Sequence, residues 1–405
     1  MNILVVAGGV PYPPTWGSGM RTYQLLRHLC QRHRMTLVCH AGADDVDRVE
    51  GLKASISELQ VIPSIHTLPG GLNRRLRQGL ALGSALPFLA VELRSSALER
   101  AIRNAVAASD FDCIQLEGSQ VASILLPIGP AVVLDEHNIE YEVLDRMRHR
   151  ESSTVRRAFN TVEWLKYRAF EQRLWRSVDA CAVPSERELA IVRSQASGTA
   201  AAAVPNAVDP GYFKPEPTAV KADSLVFTGL LSYRPNFDAA RYLVDEVFPL
   251  VARERPRATL TIVGDGDPAH FEALRRPGVT ITGRVDDVRP YVQQAAVCVA
   301  PLRMGGGTRL KVLEALAMAK PLVSTRLGSE GIAARHGEHL VIADDEPLQY
   351  GHAILDLLSN PEAAAVLGWR GRRLIETKYT WAQVSTCFDD LYIQACNAGR
   401  TKGAA

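Results

Sequence analysis

The feature that most constrains the fold is an alternation of short apolar segments with amphipathic, helix-like segments, which occurs twice along the chain. In the first half the apolar segments are NILVVAGGV, MTLVCHA, FDCIQLEG, AVVLDEHN and VDACAVPS. In the second half they are SLVFTGLLS, ATLTIVGDGD, VTITGRV, AVCVAPL, PLVSTRLGS and HLVIADD. Short continuous apolar runs are typical of buried parallel strands, and strands that alternate with helices form parallel sheets. The sequence therefore predicts an α/β protein with two successive Rossmann-like domains.

The predicted boundary between these domains is a proline-rich segment at residues 197–224, which has little periodicity and is typical of a linker. We place the N-terminal domain at residues 1–204 and the C-terminal domain at residues 205–380. Residues 381–405 read as one amphipathic helix, which begins after a break at Tyr379-Thr380, followed by a loose tail.

Charge and cysteine content narrow the class of protein. There are 46 Lys and Arg against 44 Asp and Glu, and a net charge of +2 gives no basic field suited to nucleic acid. The seven cysteines form no C-x-x-C pair, which favours free thiols in a reducing compartment. The first residues lack the basic and long apolar regions of a signal peptide. These features predict a cytoplasmic protein that does not bind nucleic acid.

One segment, Pro301–Thr325, places a glycine-rich loop between a strand and a helix, in the sequence PLRMGGGTRLKVLEALAMAKPLVST. Thr308 is predicted to be the N-cap of a helix that runs through about Ala319. Glycines leave backbone N–H groups accessible, and the N-terminus of a helix attracts anions. The loop is therefore predicted to bind phosphate.

Charged side chains of the same segment extend this prediction. Arg303, Arg309 and Lys311 add positive charge close to the loop. On a helix, Glu314 shares a face with Lys311 and with the end of the loop at Gly307. A carboxylate in this position can accept hydrogen bonds from the diol of a ribose. The segment is therefore predicted to bind a nucleoside diphosphate.

Less specific interpretations of the segment stay open. A Lys–Glu pair at i, i+3 is often only a solvated salt bridge, and many glycine-rich turns bind nothing. The sequence has neither a G-x-x-x-x-G-K-[ST] phosphate loop nor a G-x-G-x-x-G motif after the first strand. P-loop and dehydrogenase functions are therefore not favoured.

Several segments occur in the order found in one enzyme family: DEHNIEYE, VPNAVDPGYF, LVFTGLLSYRPNFDAARYL, LTIVGDGDP, ITGRV through PLVST, and LGSEGI. On these residues the chain resembles the retaining GT-B glycosyltransferases of the family 4 type over nearly its whole length. Thr282–Thr325 is the specific part of the match. The resemblance implies two Rossmann-like domains whose parallel sheets face a central cleft, and a C-terminal helix that returns to the first domain.

For the C-terminal domain, the resemblance implies a nucleotide-sugar site. Glu314 matches the family's ribose-binding Glu, whereas the Glu that usually precedes it by eight positions is replaced by Gly306. Contacts to the donor sugar are then expected from the loop at Gly306, Gly307 and Thr308. Arg284 and Val285 belong to the turn at which the family reads the base, mainly through its backbone.

The diphosphate-binding cations of the family are not found at their usual positions after Gly229. They would align near Leu230 and Pro235, and neither is basic. Three cations nearby are candidates to replace them: Arg309, Lys311 and Arg234.

In the N-terminal domain, the resemblance places His137 of LDEHNIE near the donor sugar. Gly17 and Gly19 match a glycine turn that faces the phosphates and the acceptor. Arg21 either contributes to that turn or is simply exposed on the following helix.

The activity implied is transfer of a sugar from a nucleotide-sugar donor to a glycan or small-molecule acceptor, with retention at the anomeric carbon. In this reading Arg309, Lys311 and loop amides stabilise the leaving diphosphate, and His137 completes the catalytic set. Neither a metal nor a further cofactor is expected. A nucleotide-sugar 2-epimerase of the same fold and a non-catalytic GT-B protein remain alternatives. A two-domain solute-binding protein is not favoured, since it does not explain the loop with Glu314.

Two basic, amphipathic stretches raise the question of membrane contact. They lie at residues 70–94 and 156–176, and the second contains Trp164, Tyr167, Phe170 and Trp175. Helices of this kind are also common with their apolar face in a protein core. If they meet lipid, the protein is peripheral at the inner face of the membrane and its acceptor is expected to be lipid-linked.

Overall fold

The computed structural model describes residues 1–14, 17–65 and 71–403, and the chain divides into two compact units. Unit 1 contains Met1–Pro205 and Trp381–Ala405, and unit 2 contains Asn206–Thr380. The units therefore divide after Pro205 and after Thr380, whereas the sequence places the ends of its domains at residues 204 and 380.

Unit 1 contains a seven-stranded parallel sheet with the strand order β3-β2-β1-β4-β5-β6-β7. Its strands are β1 (Asn2–Ala7), β2 (Arg34–Ala41), β3 (Gln60–Ile65), β4 (Cys113–Glu117), β5 (Ala131–Asp135), β6 (Ala180–Val183) and β7 (Ala200–Ala203). The sequence pattern predicts five of these and misses β3 and β7, so the expectation that residues 197–224 form a linker is wrong for β7. Both missed strands lie at sheet edges, where a strand needs no continuous run of branched apolar residues.

Helices pack against this sheet, and the core lies between the helices and the sheet. The helices are α1 (Gly17–Leu29), α2 (Val46–Ser55), α3 (Gly71–Ala81), α4 (Phe88–Leu93), α5 (Ser96–Ala108), α6 (Glu140–His149), α7 (Thr154–Ser177) and α8 (Glu186–Gln195). Leu4, Leu116, Leu134 and Trp175 belong to one buried cluster. Trp175 shows that the apolar face of α7 packs into the core.

Unit 2 contains a six-stranded parallel sheet with the strand order β10-β9-β8-β11-β12-β13, and all its strands are predicted by the sequence. The strands are β8 (Ser224–Thr228), β9 (Thr259–Val263), β10 (Val279–Ile281), β11 (Val297–Ala300), β12 (Leu322–Thr325) and β13 (Val341–Ala343). The helices are α9 (Arg234–Tyr242), α10 (Phe248–Glu254), α11 (Pro268–Ala273), α12 (Arg289–Gln294), α13 (Leu310–Ala317), α14 (Pro347–Ser359) and α15 (Pro361–Lys378).

The order of strands fixes where a ligand can bind in each unit. In unit 1, β2 and β3 extend the sheet on one side of β1, and the strands from β4 onward extend it on the other side. In unit 2 the same reversal of strand order occurs between β8 and β11. Ligands of open α/β sheets bind outside the carboxyl ends of the strands at such a reversal. In unit 2 the segments at this point are the turn after Thr228 and the loop after Ala300.

The last helix, α16 (Trp381–Gly403), belongs to unit 1, where it packs against α1 and strands β4 to β7. Phe388, Leu391 and Tyr392 are buried on its inner face. The predicted return of this helix to the first domain is confirmed. Among the helices in the described part of the chain, none is both long and apolar enough to cross a membrane.

Candidate functional site

The turn after β8 and the helix α13 meet at the side chain of Lys311. A Cβ atom on Gly229 would lie 2.7 Å from Lys311 Nζ and 2.9 Å from Asn236 Cγ, so the turn requires glycine. Lys311 Nζ donates a hydrogen bond to Asn236 Oδ1 (2.7 Å), and Asn236 Nδ2 donates to the carbonyl of Leu230 (2.9 Å). The ammonium group thus lies at the turn where the resemblance expects the phosphate-binding cations. The sequence analysis does not single out Asn236.

Burial makes the charge of Lys311 sensitive to its surroundings. Desolvation lowers the pKa of Lys311 to about 7, with Arg309 adding to this effect and Glu314 opposing it. Nζ also lies 4.1 Å from the centre of the Phe227 ring, whose electron-rich face attracts a cation. An anion beside Nζ would favour the protonated form, so the site is suited to taking up a phosphate together with a proton.

Glu314 follows Lys311 by almost one turn of α13. Desolvation raises the pKa of Glu314 to about 7, and Lys311 opposes this shift. The two side chains form no ion pair, and the Glu314 carboxylate makes no hydrogen bond with any residue that the structure describes. The interpretation as a solvated salt bridge is therefore not supported, and the carboxylate keeps its capacity to accept hydrogen bonds from a ligand.

The start of α13 differs from the prediction. Arg309, not Thr308, is the N-cap, and its side chain makes no capping hydrogen bond. The helix ends at Ala317, because Ala319 has a φ of +53° and cannot continue it. Thr308 is buried in the loop, where its carbonyl accepts a hydrogen bond from Asn206 Nδ2 (2.9 Å).

The loop before α13 depends on glycine, as predicted. Gly305 and Gly307 have φ angles of +107° and +69°, which side chains rarely tolerate. Gly306 lies between them, at the position where the resemblance would lead one to expect a Glu. A Cβ atom on Gly305 would lie 3.5 Å from Arg309 Nη2, so this guanidinium lies against the loop.

Arg303 is paired with residues of α9. Its guanidinium pairs with Asp238 (3.0 Å) and lies over the Tyr242 ring, 4.4 Å from the ring centre. Both partners belong to α9. Arg303 therefore fixes the loop to that helix.

The turns after β8, β9 and β10 lie side by side. A Cβ atom on Gly264 would lie 2.0 Å from the carbonyl oxygen of Gly229, and Gly264 forms a backbone bridge with Gly283. Arg284, which follows, is exposed, whereas Val285 packs partly buried against the core of unit 2. The structure thus places the predicted base-binding turn two glycine turns from Lys311.

In unit 1, His137 follows β5 and lies beside two carboxylates. Its Nε2 atom is 3.1 Å from Glu117 Oε2 and 3.6 Å from Asp135 Oδ2. Its Nδ1 atom makes no hydrogen bond within the described ranges, and the side chain is 12% exposed. A Cβ atom on Gly118, which has a φ of +86°, would lie 3.9 Å from Nδ1. Nδ1 is therefore the ring atom that can reach a ligand.

Protein donors hold both carboxylates in place. Arg21 donates from Nε to Asp135 Oδ2 (2.8 Å) and from Nη2 to Asp135 Oδ1 (2.6 Å). Glu117 accepts from Thr22 Oγ1 (2.6 Å) and from Gln115 Nε2 (2.5 Å). All these groups are buried, where hydrogen bonds to charged groups are strong.

The two carboxylates keep His137 protonated at neutral pH. Burial opposes the charge, but hydrogen bonds to Asp135 and Glu117 raise the pKa of His137 to about 9. Burial also acts against ionised Asp135, but Arg21 and His137 lower the pKa of this carboxyl to about 2. His137 can therefore offer Nδ1–H as a cationic hydrogen-bond donor.

Glu117, Asp135 and His137 also have the spacing of metal ligands, with donor atoms within 4.8 Å of one another. Both carboxylates already accept hydrogen bonds, and Arg21 supplies a positive charge at Asp135. A metal ion would have to displace this guanidinium. The arrangement therefore fits a charge-balanced His site better than a metal site.

The predicted glycine turn of unit 1 is the first turn of α1. Gly17 begins this helix and has open space where a Cβ atom would be, and Gly19 is buried. Arg21 is 1% exposed and paired with Asp135, so the prediction that it is exposed on the helix is wrong. The signal that the sequence analysis missed is the carboxylate of Asp135 at the end of a buried strand, which can pair with an Arg on a neighbouring helix.

Two family models match the chain, and together they span most of it. Residues 17–207 match the glycosyl transferase 4-like domain, and residues 222–360 match the glycosyl transferases group 1. An uncharacterized 44.6 kDa protein in the cps region of Klebsiella pneumoniae is 24% identical over 368 residues. This similarity covers 87% of the chain and 90% of the Klebsiella protein.

Solved structures show the same fold. Sucrose-phosphate synthase from Thermosynechococcus elongatus matches with a TM-score of 0.75 and 16% identity, over 98% of this chain and 100% of that one. HepE from Anabaena, solved in complex with UDP-glucose, matches with a TM-score of 0.66 and 13% identity, over 96% of this chain and 98% of that one. At these identities the likeness concerns the fold alone.

Proposed function

We propose that the chain, whose two halves match glycosyl transferase family models, transfers a sugar from a nucleoside-diphosphate sugar to an acceptor, with retention at the anomeric carbon. The observation that carries this proposal is in unit 2. At the reversal of the strand order, Lys311 lies against the Gly229 turn, and Glu314 has a carboxylate that makes no hydrogen bond to a described residue. A cation beside a glycine turn and an acceptor one helical turn away match the diphosphate and ribose of one ligand.

In this proposal each part of the donor has a partner. Lys311 and the loop around Gly307 bind the diphosphate, with Arg309 lying against the same loop. Glu314 accepts hydrogen bonds from the ribose hydroxyls. The backbone at Arg284 and Val285 contacts the base. The UDP-glucose complex of HepE makes uracil the first base to test.

The reaction breaks the bond between the anomeric carbon and the diphosphate oxygen, and forms a bond from the same face to an acceptor oxygen. The leaving oxygen takes the bonding electrons, and Lys311, whose protonated form the bound phosphate favours, stabilises the resulting charge. The acceptor's proton passes to a phosphate oxygen. His137, whose Nε2 atom is held by Glu117 and Asp135, donates from Nδ1 to an oxygen of the substrate.

A ligand panel tests the donor class. UDP, GDP, ADP and TDP, alone and as sugar conjugates, are screened by thermal shift, since a ligand that binds only the folded protein raises its apparent stability. A shift with one base supports the proposal, and no shift with any of them contradicts it. Turnover of a UDP-N-acetylhexosamine without an acceptor would instead favour the epimerase.

Product stereochemistry tests retention. With a donor found, the anomeric proton of the transferred sugar is followed by NMR in the donor and in the product. The same anomeric configuration in both is expected. An inverted product would leave glycosyl transfer intact and refute the retaining mechanism.

We also propose that unit 1 contacts an anionic membrane surface through α3 and that the acceptor is lipid-linked. Leu76 and Leu80, one turn apart, are 61% and 81% exposed, and α3 contains arginines but no acidic residue. Lys166 of α7 donates to the carbonyl of Ala81 at the end of α3 (2.6 Å), and Leu165 beside it is also exposed. Exposed leucines among cations suit the interface of an anionic bilayer.

The aromatic residues of α7 do not belong to this surface. Tyr167, Phe170 and Trp175 are buried in unit 1, and Trp164 is covered by the guanidinium of Arg148, 4.4 Å from its ring. For α7, the apolar stripe is therefore core, and only its outer edge adjoins α3.

A further inference from the structure

Two alternate residues of strand β4 contact the C-terminal helix, and the next alternate residue contacts His137. Cys113 Sγ lies 3.3 Å from Cys396 Sγ of α16. Gln115, two residues on, accepts a hydrogen bond at Oε1 from the hydroxyl of Tyr392 of α16. Glu117, two residues further, is the partner of His137. Successive alternate residues of a strand share one face, so α16 and the histidine are linked along a single face of β4.

The hydrogen bonds run without interruption from α16 to the ring of His137. Tyr392 donates to Gln115 Oε1, and Gln115 Nε2 donates to Glu117 Oε1 (2.5 Å). Glu117 Oε2 is 3.1 Å from His137 Nε2. Tyr392, Gln115 and Glu117 are 0%, 1% and 6% exposed, so water cannot readily replace any of these partners.

We propose that Tyr392 is a positioning residue for His137, acting through Gln115 and Glu117. The amide of Gln115 has a donor end and an acceptor end, and a hydroxyl donor at Oε1 decides which end faces Glu117. With the amide turned the other way, two acceptors would meet in a buried site. The C-terminal helix thus fixes the carboxylate that holds Nε2, and thereby the direction in which Nδ1 points. The catalytic consequence rests on the proposed glycosyl transfer, whereas the positioning itself does not.

The first experiment reads His137 directly, without activity. Histidines labelled with 13C at Cε1 are titrated by NMR in the full chain, and the His137 signal is assigned by its loss in His137→Gln. In the wild type we expect an apparent pKa well above the ordinary value, because Glu117 and Asp135 support the charge. In Tyr392→Phe the looser Glu117 supports it less, so the pKa of His137 is expected to fall toward its ordinary value.

Ser385→Ala is the matched control for that titration. Ser385 is also a fully buried hydroxyl of α16, but it bonds to Arg32 and to the carbonyl of Ala382, outside the chain of bonds to His137. We expect it to leave the His137 titration unchanged. Gln115→Met, which removes the bonds from the strand side, is expected to act like Tyr392→Phe and covers the case in which that variant folds poorly. An unchanged titration in folded Tyr392→Phe or Gln115→Met overturns the proposal.

The second experiment is a double-mutant cycle on turnover. Tyr392→Phe is expected to lower kcat about tenfold with little change in the KM for the donor. In a His137→Ala background the same substitution should cost nothing further, because the residue it positions is gone. Equal losses in both backgrounds would mean that Tyr392 serves only the stability of unit 1, and the proposal fails.

The two experiments separate the two hypotheses. A shifted His137 titration in a protein that transfers no sugar keeps the positioning role and removes the proposed function. Sugar transfer that Tyr392→Phe leaves unchanged, with an unchanged titration, keeps the function and removes the positioning role.

Discussion

Lys311 shows how a single residue acquires its role from neighbours that are distant in sequence. Asn236 and Gly229 precede it by 75 and 82 positions. Asn236 accepts a hydrogen bond from the Lys311 ammonium group, which lies close to where a Cβ atom on Gly229 would be. The sequence analysis names Lys311 as one of three candidates, since it lies in the loop segment. It cannot choose among them, because the contact with the Gly229 turn follows only from the packing of α13 on the sheet.

Nucleotide affinity should depend on the protonation of Lys311. Its pKa is about 7 in the folded protein, and a bound diphosphate raises it, so binding takes up a proton. Affinity for the cognate nucleoside diphosphate is therefore expected to fall as the pH rises from about 6 to about 9, and calorimetry in buffers of different ionisation enthalpy should detect the proton uptake.

In Lys311→Met the nucleotide affinity should fall about tenfold or more, and most of its pH dependence should be lost. Lys221→Met removes an exposed lysine of unit 2 and should change neither. Affinity in Lys311→Met that still follows the wild-type pH profile would show that another group binds the phosphate.

Glu136 should make the stability of unit 1 fall as the pH rises. Burial raises the pKa of this carboxyl to about 7, while Trp175 donates to its Oε2 atom (3.1 Å). Between its ordinary pKa and about 7, the folded protein holds a proton that the unfolded chain releases, so stability declines across this range and stays reduced above it.

Glu136→Gln is therefore expected to raise the free energy of unfolding at about pH 8 by on the order of 1–3 kcal/mol, and to change it little at about pH 4.5. Denaturant unfolding at the two pH values measures the difference. Glu58→Gln, at an exposed position of unit 1, serves as the control. A gain that is equal at both pH values would show that packing, and not ionisation, causes it.

At the scale of elements, the sequence predicts strands well where they are central and poorly where they are at an edge. β1 and β8 are continuous apolar runs because neighbours cover them on both sides. β3 contains Pro63, and β7 consists of four alanines, so neither shows the pattern. Their pairing is decided by the sheet that precedes them, and not by their own composition.

The glycine segments illustrate the same limit. The sequence predicts that the loop around Gly305 and Gly307 needs glycine, and the backbone angles agree. It places the N-cap of α13 at Thr308, whereas Asn206, brought from the start of unit 2, holds Thr308 in the loop. Local preference for a cap is worth about 1 kcal/mol, which a tertiary contact easily outweighs.

The outer surface of α3 gives a prediction for one element. If Leu76 and Leu80 enter a bilayer interface, changing both to Gln should reduce binding to vesicles that contain anionic phosphatidylglycerol, by about tenfold. Co-sedimentation at low and high salt measures the effect, with neutral phosphatidylcholine vesicles as the comparison. Leu348→Gln, at an exposed leucine of unit 2, should have no effect. Equal binding by the double variant and the wild type would refute membrane contact through α3.

At the scale of the whole molecule, the two units repeat one topology with different sites. Both sheets reverse direction beside the first strand of the unit, which fixes where loops and helix ends converge. Unit 1 places a charge-balanced imidazole after β5, and unit 2 places a lysine and a carboxylate at the reversal. The alternation of strands and helices in both units can be predicted from the sequence. The residues that hold the two carboxylate partners of His137 cannot be predicted in this way, because Arg21, Gln115 and Tyr392 come from three separate elements.

The measurement that tests the central claim most directly is a binding cycle between Glu314 and the ribose. UDP and 2′-deoxy-UDP, or the corresponding pair for the base that the panel identifies, are titrated by calorimetry into the wild type, Glu314→Ala and Glu272→Ala, an exposed control in unit 2. The wild type and the control should bind the deoxy ligand about tenfold more weakly, because a hydrogen bond to a carboxylate is lost. Glu314→Ala should bind both ligands equally and weakly. Full discrimination by Glu314→Ala would contradict the placement of the nucleotide on α13.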